Sequence, residues 1–168
     1  FADNKDLTFS PTIFDSNIYM MQNEYRQENE KSSFITDIGF AKGYKSVTTD
    51  NKKKNIGHLF ANFKLDFDLK SFIKSDLNLS LERVTNDTYL KVFESSLTST
   101  SRQLMPADKG QLTSSVKINL DHDDFLFDTG LTAHETLSGS DSDRYEYILP
   151  YYSFSKNLIS NNFLSLDF

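Results

Sequence analysis

The residues best suited to chemistry are the histidines and the acidic residues beside them. Asp121, His122, Asp123 and Asp124 follow one another and together offer carboxylate oxygens and an imidazole to a metal ion. This set lacks the glycine and the ligand spacing of a calcium-binding loop, and it falls where the chain needs a short turn. We therefore predict a structural turn here and no metal site.

The other two histidines do not point to catalysis either. His134 and Glu135 are neighbours in a segment with strand periodicity, so we expect their side chains on opposite faces. His58 begins a polar face and has no partner at a useful spacing in the sequence. The chain also lacks a Ser-His-Asp order, a glycine-rich phosphate loop and a paired-carboxylate motif. The sequence therefore predicts no catalytic residues, no cofactor and no enzyme.

The elements that position these residues are strands, and the clearest of them lie between His58 and Glu82. Apolar and polar residues alternate along two arms, which a tight turn near Lys70 and Ser71 joins. Successive strand side chains point to opposite faces, so each arm has one apolar and one polar face. Each arm also reaches the roughly 9–11 residues that a membrane-spanning strand needs. We predict that the apolar face contacts lipid through Leu59, Phe63, Leu65, Phe67, Leu77, Leu79 and Leu81.

The same alternation recurs along the whole chain. It predicts strands at 7–14, 18–27, 33–45, 58–69, 73–84, 111–121, 125–137 and 145–156, with a ninth beginning at Phe163. Short turns alternate with longer connections near 46–55, 85–110 and 138–144, as in transmembrane barrels. No segment has the periodicity of a helix. The predicted fold class is all-β, an antiparallel up-and-down meander of about 8–9 long strands that forms part of a transmembrane β-barrel.

Two strands carry residues with a special backbone role. Pro11 lies inside the first strand and cannot donate to a ladder, so this strand is predicted to be an edge or weakly paired. The third strand has Gly39, Ala41 and Gly43 on its polar face, which predicts a crowded interior or a close backbone approach.

The composition narrows the class of protein. Hydrophobic residues make up 38% of the chain and aromatic residues 14%, which fits strands with one polar face better than disorder. No apolar run approaches the roughly 18 residues of a membrane helix, so any crossing has to use strands. A net charge of −6 argues against nucleic acid as a partner. The absence of cysteine excludes disulfides and thiolate chemistry in this segment.

We also expect the 168 residues to be one internal segment, 1–168, of a longer protein. The chain does not begin with methionine or a signal peptide, and it ends in FLSLDF, which has the alternation of a strand in progress. The segment would supply the first strands of a larger outer-membrane barrel.

Four stretches of the sequence can be compared with a known protein family: DLTFSPTIFDSN, MMQNEYRQ, SDLNLSLERVTNDTYLKVFE and SDRYEYILPYYSFSKNL. In this order they resemble the barrel domain of the LPS-assembly outer membrane protein family LptD, also called organic solvent tolerance protein. Two motifs are the most specific for this family. The first is a strand that leads into a loop, with Asn86, Asp87, Tyr89 and Leu90. The second lies in a strand, with Leu149, Pro150, Phe154 and Ser155.

This resemblance implies a location in the outer membrane, in roughly the first third of a very large barrel. It implies lipopolysaccharide and outer-membrane lipids as partners, together with an LptE-like lipoprotein plug and a periplasmic Lpt bridge. Lipopolysaccharide would leave sideways between the first and last strands of the barrel. The lateral-gate strand would then carry Leu7, Phe9, Pro11 and Ile13.

Two other hypotheses about the class of protein are consistent with the residues alone. Another outer-membrane barrel, such as a porin or receptor, fits the alternation equally well. A soluble β-sandwich adhesin or binding module predicts shorter strands in two sheets packed face to face.

Overall fold

The alternating segments fold into one antiparallel sheet of eight strands. The computed structural model describes residues 2–15, 18–42, 55–94, 97, 104–138 and 144–156. Each strand pairs with its neighbours in the chain, in the order β1-β2-β3-β4-β5-β6-β7-β8, so the predicted up-and-down meander is confirmed. The strands are β1 (Lys5–Asp15), β2 (Ile18–Asn29), β3 (Ser32–Lys42), β4 (Ile56–Asp66), β5 (Lys74–Val84), β6 (Gln111–His122), β7 (Phe125–Thr136) and β8 (Tyr145–Lys156).

Where the structure describes them, the predicted strand bounds agree with it to within about three residues, which is ordinary scatter for element ends. The predicted end of the third strand, 43–45, lies outside the described residues. The ninth predicted strand, from Phe163, lies outside the described residues. Within the described part of the chain the strands form one sheet, and β1 and β8 do not pair with each other. That part is therefore an open sheet and has no second sheet packed against it.

Long and short connections alternate, although the tight turn predicted near Lys70 and Ser71 belongs to a longer connection, 67–73. One end of the sheet, which we call the turn end, has the connections 30–31, 67–73 and 123–124. The other end, which we call the loop end, has the connections that include 43–55 and 85–110. At 123–124 the Asp124 N–H donates to His122 Nδ1 at 3.2 Å, so the acidic cluster forms a turn, as predicted. In 67–73 the backbone of Asp68 has a φ of 51°, which aspartate tolerates better than most residues.

One prediction is wrong: the described part of the long connection contains a short helix, α1 (Tyr89–Val92). Asn86 starts it, because its Oδ1 accepts the Thr88 N–H at 3.1 Å and its carbonyl accepts the Tyr89 N–H at 3.0 Å. The Val92 N–H then donates to the Thr88 carbonyl at 2.9 Å. A single turn is too short to show a helical period in the sequence.

The helix α1 defines two faces of the sheet, the inner face against which it packs and the opposite outer face. The hydrophobic core lies between α1 and the loop end of the sheet, and it consists of Met20, Ala41, Ile56, Phe60, Tyr89, Leu90, Phe93, Leu97, Leu112 and Leu137. Among the described residues, no helix has the length and apolar character that a membrane-spanning helix requires.

Candidate functional site

A chain of three buried polar groups joins α1 to the inner face of the sheet. The Tyr89 hydroxyl lies 2.8 Å from His58 Nδ1, and His58 Nε2 lies 3.3 Å from Asp37 Oδ1. The side chains of Asp37 and His58 are completely buried. The imidazole lies between the two groups, with one ring nitrogen toward the tyrosine hydroxyl and the other toward the carboxylate. These contacts fix the orientation of Tyr89 on the sheet.

Glycine makes room for this chain of groups. Gly39 lies directly opposite His58 in the β3–β4 pairing. A Cβ at Gly39 would lie 2.2 Å from His58 Cε1 and 2.8 Å from the Tyr89 hydroxyl oxygen. The imidazole also stacks on the Phe60 ring at 4.4 Å between centroids, which holds it against the strand. The prediction of a crowded interior beside Gly39 is confirmed.

His58 has no partner at a useful spacing in the sequence, but the structure brings two partners to it from distant segments. Asp37 belongs to the preceding strand, and Tyr89 follows on the far side of β5. Strand pairing and the folding back of α1 bring the three residues together, so no local spacing could reveal them. Two signals were present in the sequence: the small residues of β3 and the Asn86 to Leu90 motif, which supplies the buried Tyr89.

A second polar cluster lies at the loop end, near β7 and β8. Glu135 accepts hydrogen bonds from Arg83 Nη1 at 2.9 Å and from Arg144 Nε at 2.8 Å. Arg144 Nη2 also lies 2.7 Å from Asp87 Oδ1, so this cluster holds the start of the long connection. The carboxylates of Glu135 and Asp87 raise the pKa of Arg144, which keeps the guanidinium ionised. On the opposite face His134 Nδ1 contacts Thr113 Oγ1 at 3.1 Å, which confirms that His134 and Glu135 face apart.

Polar side chains continue along the inner face toward the turn end. Asp76 Oδ2 accepts from the amides of Asn78 and Asn119, the latter at 2.9 Å. An open cleft of about 370 Å³ lies there, lined by residues that include Lys64 and Asp66. Its charged and amide lining suits water or the polar surface of a partner.

The seven residues predicted to face lipid all lie on the outer face of β4, β5 and the residue after β4. Phe63 pairs with Leu79 and Leu65 with Leu77, so they cover one another and are half-buried. Leu59 and Phe67 are exposed at 38% and 39%. Other strands extend this surface with exposed apolar side chains, namely Met21, Ile38, Phe40, Val116, Leu131, Tyr147, Tyr152 and Phe154.

The strand β1 is an edge of the sheet, as its proline predicted. Pro11 lies opposite Met21 of β2. Leu7, Phe9 and Ile13 point to the outer face and are exposed, Ile13 at 80%. The structure therefore places the four predicted gate residues together, on one strand with one free edge among the described residues.

No group of three or more His, Cys, Asp or Glu side chains in the described part of the chain is placed to hold a metal ion. No family model matches the chain, and comparisons with curated proteins and with solved structures gave no significant match.

Proposed function

We propose that this chain forms the first strands of the outer-membrane translocon that inserts lipopolysaccharide into the outer leaflet through a lateral opening of its barrel. The proposed substrate and direction of transport come from the resemblance of four stretches to the LptD family. The observation that carries the proposal is an edge strand with an internal proline, in a sheet of long strands with one apolar and one polar face.

The strand lengths and the outer face support a membrane location. Each strand has 11 or 12 residues, as many as a tilted membrane-spanning strand needs. The apolar outer face would be costly in water, because soluble monomers rarely expose contiguous apolar patches above a few hundred Å². A bilayer removes that cost, while the polar part of the inner face toward the turn end remains available for water, the lipoprotein plug or a polar cargo.

The free edge of β1 supports a sideways exit. Pro11 has no backbone N–H, so a seam between β1 and the last strand lacks one possible donor. A ladder hydrogen bond contributes only about 0.5–1.5 kcal/mol net, although an unpaired backbone group in lipid costs several kcal/mol. The seam at β1 is therefore shorter or weaker than the other strand pairs, and it is the part of the wall that opens most easily.

A cysteine cross-link in the full-length protein tests the proposal. One pair joins Ser10 of β1 to the last strand of the barrel and locks the seam. A control pair at Tyr25 and Thr36, which lie opposite each other in β2 and β3, locks the wall away from the seam. Lipopolysaccharide at the cell surface is then measured with and without reductant.

We expect the seam lock to stop lipopolysaccharide delivery reversibly and the wall lock to leave it unchanged. Delivery that continues with the seam fully cross-linked would contradict the proposal. Solute uptake that persists in that state would instead favour the porin or receptor alternative.

A further inference from the structure

Residues 87–93 contact three separated parts of the sheet. At one end Asp87 pairs with Arg144 in the β7–β8 connection, at 2.7 Å. In the middle Tyr89 bonds to His58 of β4 at 2.8 Å. At the other end the Phe93 ring lies 5.4 Å from the Phe14 ring of β1, between centroids. We call residues 87–93 the strap.

The strap is much shorter than the sheet is wide. Eight strands at about 4.8 Å spacing would put β1 and β8 roughly 34 Å apart in a flat sheet. A segment of seven residues that includes a helical turn spans about 10–15 Å. The side chains of Asp87 and Phe93 extend this reach, so the strap joins the β7–β8 connection, β4 and β1, which lie far apart in the sheet.

The contact with β1 depends on an irregularity in that strand. Ile13 pairs with Tyr19 and Asp15 with Ile18, so Phe14 is an extra residue in the ladder. Bulges of this kind bend a strand and redirect a side chain. Phe14 follows Thr12 on the side of the buried Met20, which is the inner face, and so reaches the strap.

We propose that the strap couples the edge strand β1 to the inner wall, so that β1 and α1 are displaced together. Tyr89 fixes the strap to β4, in the middle of the sheet, through a fully buried hydrogen bond. Phe93 transfers this restraint to the edge through its contact with Phe14. The upper part of β1 is the end of the strand that contains Phe14. Movement of this part away from the barrel breaks the Phe14–Phe93 contact and exposes the strap. This role in opening rests on the proposed function, whereas the coupling itself does not.

Hydrogen exchange on the full-length protein in its membrane environment tests the coupling. Phe93→Ala removes the ring that touches β1, and Phe14→Ala removes its partner, which is 45% exposed and is not a member of the core. Val92→Ala is the matched control, since Val92 lies on the same helical turn and is 45% exposed. The amides of the upper part of β1 and of the strap are followed separately.

We expect Phe93→Ala to accelerate exchange in the upper part of β1 about two- to tenfold, the range for loss of an aromatic pair. Because coupling is reciprocal, Phe14→Ala should accelerate exchange in the strap by a similar factor. Val92→Ala should leave β1 unchanged. Faster exchange in the strap with an unaffected β1, or equal effects of Val92→Ala and Phe93→Ala, would overturn the proposal. This readout needs no transport, so reciprocal coupling alongside a failed seam-lock experiment would refute the proposed function and leave the strap intact.

Discussion

The packing at Gly39 gives the sharpest prediction on stability. The change Gly39→Ala adds one methyl group at a position that the imidazole of His58 already occupies. That methyl carbon would lie 2.2 Å from His58 Cε1, 2.4 Å from His58 Nδ1 and 2.8 Å from the Tyr89 hydroxyl oxygen. His58 therefore has to move, and Tyr89 loses its hydrogen-bond partner.

The magnitude follows from three contributions. Overpacking of a tight core costs about 1–3 kcal/mol. Loss of the His58–Tyr89 hydrogen bond costs about a further 0.5–1.5 kcal/mol. Alanine restricts the unfolded chain more than glycine does and returns about 0.4–1 kcal/mol. We expect the free energy of unfolding to fall by about 1–4 kcal/mol.

The assay is a urea titration of the full-length protein in detergent micelles, compared with wild type. Gly110→Ala is the matched control, because its Cβ would meet only Asp108 Oδ1 at 3.4 Å, an ordinary contact. We expect this control to lie within about 1 kcal/mol of wild type. In the double variant Gly39→Ala with Tyr89→Phe, the second change should add little, since both remove the same interaction. A Gly39→Ala variant as stable as Gly110→Ala would refute the reasoning.

Three further predictions concern the outer face, the buried hydroxyl and the turn end. Leu79→Arg should destabilise the protein in a bilayer by about 2–4 kcal/mol if Leu79 lies near mid-membrane, whereas Asn78→Arg on the inner face should cost much less. Equal costs of the two changes in a folding titration into vesicles would contradict the assignment of faces. Tyr89→Phe keeps the ring but loses the bond to His58, so we expect a loss of about 0.5–1.5 kcal/mol in the same urea assay, and an unchanged midpoint would show that the bond is not formed. Asp68 raises the pKa of the exposed Lys31, so the stabilisation from this pair is fully present below the ordinary lysine pKa and is lost only as the pH rises through the raised value. Lys31→Met should therefore shift the urea midpoint slightly and by the same amount at every pH from about 6 to 9, and a shift that changes across this range would contradict the pairing.

The strands of this protein could be predicted from the sequence because their signal is local. Alternation in the arms around Phe63 and Leu79 needs only neighbouring residues, and it correctly gives both the faces and the pairing of β4 with β5. Pro11 likewise marks an edge by itself, since a missing N–H is a property of one residue. The turn at Asp123 and Asp124 could also be predicted, because its signal lies in neighbouring residues.

The inner site could not be predicted in this way, because contacts between distant segments create it. His58 shows no partner in the sequence, yet strand pairing brings Asp37 to one side of its ring and the folded connection brings Tyr89 to the other. A single turn such as α1 has no period to detect and is stable only where burial of Tyr89 and Leu90 offsets the entropy lost on ordering it. Sequence by itself therefore determined a meander of two-faced strands with a proline-marked edge. Only the tertiary structure decided that the long connection folds onto the inner face, because that depends on the shape of a surface which exists only after the strands have paired.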